Sequence, residues 1–252
     1  MKKFQSTTRL IAPAVSTAAA VLTWQAICST GTVKSYILPS PLQTASALKS
    51  DFSLLLSHTA STASLAIAGV ICAAVLAIAV AVLMYRFPVF EAALYPILII
   101  TQTIPTIAVT PLILLWLGYS WKAKLVLVCS ACFFPIVLSL ADGFRQTDAD
   151  MLNLLKSMGA NFRQRFIHLV FPCALPSFFS GLKISVSYSV VTALVGEWLG
   201  GTQGLGVYMM RVKKSYSTDK MFACIFIITL LTLILISVSR YIQKKAIPWA
   251  ED

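Results

Sequence analysis

Few side chains in this 252-residue chain are able to act as nucleophiles, bases or metal ligands, and their spacing argues against catalysis. The two histidines, His58 and His168, fall far apart and on opposite sides of the span pattern described below, so both are expected at the surface and not as ligands. No HExxH, GxSxG or pair of intramembrane aspartates occurs, which removes the intramembrane hydrolases. Cys129 and Cys132 form a CxxC, but it lies inside an apolar run with no second pair or neighbouring His. With Cys28, Cys72, Cys173 and Cys224 they read as small hydrophobes. No catalytic residue, metal ligand or bound cofactor is therefore expected. No GxxxxGK[ST] is present to cradle nucleotide phosphates, and the stretch Gly200-Gly201-Thr202-Gln203-Gly204-Leu205-Gly206 has neither the GxGxxG spacing nor a preceding strand. Glu197 stands apart as the acidic residue at the end of an apolar run, placed there for function or simply a solvated helix end. Lys183 is able to snorkel to the nearer interface.

The elements that position these groups follow from composition. Hydrophobic residues make up 58% and charged residues 12%, against about 25% charged in soluble domains, and the mean hydropathy is +0.83. A helix crossing a hydrocarbon core needs roughly 20 apolar residues. Six such runs occur, near Leu10–Cys28, Ala60–Tyr85, Ala92–Leu117, Ala123–Ala141, Pro176–Trp198 and Met221–Tyr241. The first is long for a signal peptide and lacks a small-residue cleavage site, so it is expected to be an uncleaved span. Cationic flanks favour cytoplasmic N- and C-termini: Lys2, Lys3, Arg9, Arg86, Arg145, Lys156, Arg163, Arg165, Arg240, Lys244 and Lys245 then lie inside. Lys34, Lys49, Lys122, Lys124, Arg211, Lys213, Lys214 and Lys220 lie outside. The net charge of +11 reads as contact with anionic lipid and a basic outer surface, not as nucleic-acid binding.

One membrane domain, 1–252, is the simplest organisation, since no soluble insert, linker or internal repeat interrupts the runs. After Leu38-Pro39-Ser40-Pro41, the amphipathic stretch Leu42–Ser57 is expected to lie along the outer interface. In the second run Ala60, Ser64, Ala68 and Cys72 recur every four residues, a small face suited to helix packing. The third holds Pro96, Pro105 and Pro111 among Thr101, Gln102, Thr103, Thr106 and Thr110. Helical spacing puts Gln102, Thr106 and Thr110 on one face, either of a kinked pathway-lining helix or of a packing helix whose threonines bond their own turns. The fifth carries Gly181, Ser185, Ser189, Thr192 and Gly196 on one side, flanked by Ser187 and Tyr188, and suggests a symmetric interface beside a conduit. The following loop, about 198–219, is a gate or partner contact, or a plain turn.

A polar, basic segment, about 142–175, separates the fourth and fifth runs. Thr147 or Asp148 caps a helix with the apolar stripe Met151, Leu154, Leu155 and Met158, and Gly159 suits the position just past its end. A second short helix carries Phe162, Phe166 and Leu169 on one side, with Arg163, Arg165 and His168 around it, and Pro172 is expected to stop it. Two helices are long for a connection and apolar enough to grip a partner.

These residues resemble the membrane-spanning permeases of ATP-binding-cassette importers. That family's signature is Glu-Ala-Ala, three residues, Gly, nine residues, Ile, any residue, Leu-Pro. Here Gly159, Leu169, Phe171 and Pro172 take the last four positions in unbroken spacing, while Asn153, Leu154 and Leu155 replace Glu-Ala-Ala. A literal Glu91-Ala92-Ala93 has no Gly at the required distance. Leu38-Pro39-Ser40-Pro41, Ile104-Pro105, Thr110-Pro111, Ala174-Leu175-Pro176 and Gly196-Glu197-Trp198 look like the nitrate, sulfonate and taurine branch. Gly204-Leu205-Gly206-Val207-Tyr208-Met209 and Lys214-Ser215-Tyr216-Ser217-Thr218-Asp219 are most similar to permeases for thiamine-precursor pyrimidines such as hydroxymethylpyrimidine.

The resemblance implies an all-α integral membrane protein with six transmembrane helices and the type I ABC importer (MetI-like) permease fold, in a bacterial inner membrane. It also implies two copies of this chain, two cytoplasmic ATPase subunits holding the ATP and Mg, and an external or periplasmic binding protein. On this basis Asn153, Lys156, Gly159, Ala160, Phe162, Arg163, Phe166, Leu169 and Pro172 would meet the ATPase. Gln102, Pro105, Thr106, Thr110, Ser185, Tyr188 and Thr192 would line the pathway, and Glu197, Trp198, Gly204 and Gly206 would form the outer gate or binding-protein contact. Sulfonates, taurine, nitrate or riboflavin-like solutes are the alternative cargoes. A stand-alone channel or secondary carrier would leave the loop helices unexplained.

Overall fold

The structure is a computed structural model that describes residues 2–31 and 33–249, with the helical backbone alone for residues 2–14. It is helical throughout: α1 (Lys2–Ser29), α2 (Pro41–Ser50), α3 (Phe52–Arg86), α4 (Pro88–Gln102), α5 (Thr106–Leu117), α6 (Trp121–Arg145), α7 (Ala149–Ser157), α8 (Phe162–Arg165), a π-helical turn (Phe166–Val170), α9 (Phe171–Gly200), α10 (Leu205–Lys214) and α11 (Thr218–Ala246). Among the described residues four helices are long and apolar enough to cross a membrane: Phe52–Arg86, Trp121–Arg145, Phe162–Gly200 and Thr218–Ala246. α4 and α5 together make a broken fifth. Of the expected first span, Val15–Ser29 is apolar helix; the side chains of Leu10–Ala14, and of Lys2, Lys3 and Arg9 used for orientation, lie outside the described residues.

The third span is not one kinked helix. α4 and α5 meet at 101° because Pro105 offers no N–H and keeps Ile104 out of the helical region. Thr103 and Ile104 instead close tight turns onto the carbonyls of Ile100 and Thr101, at 3.1 and 3.2 Å. The break separates Gln102 from Thr106 and Thr110, so the three share no helical face. Thr101, Thr103 and Thr110 bond back to the carbonyls of Ile97, Ile100 and Thr106.

The chain divides into two compact units, Met1–Ser57 with Tyr208–Ile227, and His58–Val207 with Ile228–Asp252. In the second unit α6 and α9 pack along each other. A Cβ at Gly181 would sit 2.5 Å from the Pro135 carbonyl oxygen and 2.8 Å from Ser139 Cβ, so only glycine allows this approach. The Ser185 hydroxyl donates to the Cys132 carbonyl at 2.7 Å, and the Cys132 thiol donates to the Ser185 carbonyl. The small stripe of α9 is thus consumed inside the chain, where a symmetric interface was expected. α3 also packs on an unexpected face. Thr62, Ala66, Gly69, Ala73, Ala77 and Ala81 are buried, whereas Ala60, Ser64 and Cys72 are exposed and Ala68 is half-buried. Two four-spaced small stripes run along one helix, and the Val128 side chain selects the one containing Gly69, where no Cβ fits.

In the first unit the amphipathic stretch is interrupted. Ser40 and Gln43 form a capping box at the start of α2, α2 ends at Ser50, and Phe52 onward belongs to α3. Trp24 Nε1 donates to the Pro39 carbonyl at 3.0 Å, and its ring packs on Phe222. Asp51, between the two helices, accepts from Tyr208 Oη at 2.8 Å and pairs with Lys220 Nζ at 2.8 Å. Burial, then the bond to Asp51, pushes the Tyr208 phenol up, which keeps it a donor. The Lys220 hydrogen bond outweighs desolvation and holds the Asp51 carboxyl below its ordinary value of 3.8. A lowered carboxyl pKa stabilises the fold above that ordinary value, and the contribution fades as pH falls through the lower folded-state value. Asp51→Asn is therefore expected to lower the melting temperature at pH 7, with the deficit closing below pH 3.8, as measured by thermal scans in nanodiscs across pH. An equal deficit at every pH would argue against the ion pair.

Candidate functional site

α6 ends at Arg145, and Asp148 then caps α7 by accepting from Asp150 N at 2.8 Å. At the far end of α7, Gly159 N–H bonds the Lys156 carbonyl and Ala160 N–H bonds the Leu155 carbonyl, with Gly159 at φ +79°. This is a Schellman termination, in which the position past the helix needs the left-handed region that glycine enters without strain. Two residues later Asn161 and Gln164 form a capping box that starts α8. The two devices produce a sharp helical hairpin. Met151, Leu154, Met158 and Phe162 are exposed on it, as are Asn153, Lys156, Gly159 and Arg163, while Leu155, Ala160, Phe166 and Leu169 are half-buried.

Pro172, expected from sequence to stop the second helix, does not. Helix runs on from Phe162 to Gly200, because the π turn just before Pro172 widens the backbone where a prolyl ring would clash with a tight α turn. The π turn also aims Phe166 into a cluster of rings. Its centroid lies 5.6 Å from Tyr85, 5.5 Å from Phe144, 6.1 Å from Phe162 and 5.9 Å from Phe171, while Arg86 lies over Phe162 at 4.8 Å. Tyr85 lies in the last turn of α3 and Phe144 in the last turn of α6, and Phe162 also stacks on Tyr85 at 6.0 Å, so Phe162 and Phe166 together fasten the hairpin to the ends of α3 and α6 and to the start of α9. Sequence reasoning missed Tyr85 and Phe144; the available signal was an aromatic residue at the end of each adjoining span. Glu91, set aside above as the wrong Glu-Ala-Ala, ties α4 to the end of α6. It pairs with Arg145 at 2.7 Å; Arg145 also lies 3.5 Å from Asp142 and over the Tyr95 ring, and Tyr95 Oη donates to Asp142.

The expected pathway residues separate into two groups. Gln102, Pro105 and Tyr188 are exposed and Thr106 is half-buried, whereas Thr110, Ser185 and Thr192 lie in the interior. Ser185 is spent on the α6 carbonyl, which corrects its expected place beside a conduit.

Glu197 is neither a solvated helix end nor a surface contact: it is 2% exposed. Thr62 Oγ1 donates to its carboxylate at 2.9 Å and Gly206 N donates to it at 2.8 Å. Thr62 Oγ1 also accepts from Leu205 N at 2.8 Å. Gly204 N donates to His58 Nδ1 at 3.0 Å, so the histidine expected at the surface is a buried acceptor. Gly204, at φ +120°, lies against the carboxylate where any Cβ would collide with it. These bonds clamp the glycine-rich turn onto α3 and α9, and bury Gly204 and Gly206 while leaving Trp198 38% exposed.

Nothing in either arrangement activates a nucleophile. The hairpin is an exposed projection packed on the ends of α3 and α6 and the start of α9, and the clamp fixes the turn that follows α9. Several known proteins are similar to this chain. A formylaminopyrimidine transport permease protein, ThiX, of Halalkalibacterium halodurans is 37% identical over 215 residues, covering 85% of this chain and 86% of that one. The riboflavin transport system permease protein RibX of Chloroflexus aurantiacus is 28% identical over 228 residues, covering 90% and 85%. The solved structure titled as inward-facing conformations of the MetNI methionine ABC transporter superposes with a TM-score of 0.66 at 20% identity, over 77% of this chain and 96% of that one, and so shares the fold. Residues 67–248 match the family described as binding-protein-dependent transport system inner membrane component, and the chain belongs to that family, the multi-pass permease subunits of ABC importers.

Proposed function

We propose that this permease carries a thiamine-precursor pyrimidine into the cell, with two copies forming the pathway and a separate ATPase pair, holding ATP and Mg, driving it at the α7–α8 hairpin. An external binding protein delivers the cargo on the side of the glycine-rich turn, and both termini face the cytoplasm. The observation that carries the coupling role is the joining of the exposed hairpin to α3, α6 and α9 through the ring cluster around Phe162 and Phe166. Displacement of the hairpin then moves three spans together, as alternation between inward-open and outward-open states requires. The pyrimidine reading rests on the 37% identical relative. The broken α4–α5 segment, with Gln102, Pro105 and Thr106 at the bend, and the exposed Tyr188 ring supply polar groups and a π face to a flat heteroaromatic solute.

The test is uptake into proteoliposomes holding the chain, its ATPase and its binding protein. ATP-dependent entry of formylaminopyrimidine or hydroxymethylpyrimidine, competed by neither taurine nor riboflavin, is expected. Entry without ATP would instead place the chain among stand-alone carriers. Gly159→Trp tests the coupling. A Cβ there meets open space, so the fold bears only the left-handed backbone penalty of about 1–2 kcal/mol. Transport and binding-protein-stimulated ATP hydrolysis should be lost while the binding protein keeps its ligand affinity; unchanged transport sinks the assignment.

A further inference from the structure

The α7–α8 hairpin is an apolar knob with a basic rim that the chain does not neutralise. Met151, Leu154 and Met158 are 54%, 60% and 73% exposed. Lys156 and Arg163 are exposed beside them, and no carboxylate lies within ion-pairing distance of either among the described residues. The nearby acids are engaged or displaced. Asp148 caps α7, Glu91 and Asp142 face Arg145, and Asp150 sits in the first turn of α7, where it complements the helix dipole. Asn153 adds no charge. Arg86 lies over Phe162, and Arg165 Nε is buried without an acceptor.

We infer that the ATPase surface receiving this hairpin is an apolar recess rimmed by carboxylates that pair with Lys156 and Arg163. The inference rests on the coupling role proposed above and specifies its partner's chemistry. An apolar protein recess takes up Met151, Leu154 and Met158, and rim carboxylates set the register and speed the encounter. Anionic lipid would match the charges but not the shape: helices of nine and four residues joined by a sharp turn lay no continuous face on a bilayer.

The complex of the chain with its ATPase is treated with a carbodiimide that joins amines to carboxylates at zero length, and the adducts are mapped by mass spectrometry. Lys156 is expected to join an Asp or Glu of the ATPase, with a yield that falls as salt shortens the Debye length from about 10 to about 3 Å. The double reversal K156E/R163E should weaken ATPase association roughly tenfold, while K213E, an exposed cation on α10, leaves it unchanged. A photo-crosslinker at Met158 reports docking independently. If it captures the ATPase while Lys156 forms no carboxylate adduct, the coupling role stands and the acidic rim is overturned. Capture at neither position overturns both. A double reversal that releases the chain's hairpin from phosphatidylglycerol vesicles, with ATPase affinity intact, overturns the rim in favour of lipid.

Discussion

Replacing Glu197 by alanine is expected to give the largest loss of stability of any single polar substitution in the chain, about 3–5 kcal/mol, from two buried hydrogen bonds to a carboxylate at about 1.5–3 kcal/mol each. The carboxylate receives the Thr62 hydroxyl and the Gly206 amide in a site 2% exposed. Its removal leaves the Gly206 amide buried without an acceptor, at about 1–3 kcal/mol, and leaves the Thr62 hydroxyl only the His58 carbonyl of its own helix at 3.2 Å. The glycine-rich turn should then detach from α3, since Leu205 N and Gly204 N depend on the same arrangement of Thr62 and His58. Glu197→Gln keeps the shape and one acceptor but turns an amide NH2 toward a donor, so it should fall between wild type and alanine. Thermal unfolding in nanodiscs, with proteolysis of the turn as a second readout, measures this order. A stable Glu197→Ala protein with a protected turn would show that the clamp contributes little.

Phe166→Ala should have the largest effect on coupling. Four rings surround Phe166, and truncating a large half-buried aromatic costs about 3 kcal/mol at the lower end of the range for core rings. The functional consequence is expected to exceed the structural one. The hairpin would still dock on the ATPase, and basal ATP hydrolysis would persist, but stimulation by the loaded binding protein and transport would fall together. Phe133→Ala supplies the control, because that ring packs on the same core without touching the Phe166 group. Equal uncoupling by both variants would reduce the aromatic cluster to ordinary packing.

Both predictions lie where local pattern was informative in one respect and silent in another. The hairpin was legible because its determinants are local: an acceptor before the first turn at Asp148 and a residue able to adopt positive φ at Gly159. Its fastening was not, because Tyr85 and Phe144 stand far from Phe166 in sequence and only the meeting of α3, α6 and the π turn brings the rings together. The same division explains Pro172. A prolyl ring excludes a standard helical hydrogen bond locally, but whether the helix stops or widens depends on packing around Phe166 and Val170.

Sequence alone was enough for four long apolar spans, the helical class and the family, since these rest on composition, on period and on Gly159-to-Pro172 spacing, none of which needs a partner element to be read. Tertiary structure decided which small face of α3 is buried and that Glu197 faces inward. Both outcomes turn on a long-range contact, Val128 against Gly69 and Thr62 against Glu197, while the break of the third span is set locally by Pro105. Two stripes of equal size, or a carboxylate at a helix end, have the same local energetics on either side of the helix. The neighbour that arrives from elsewhere in the chain breaks the tie.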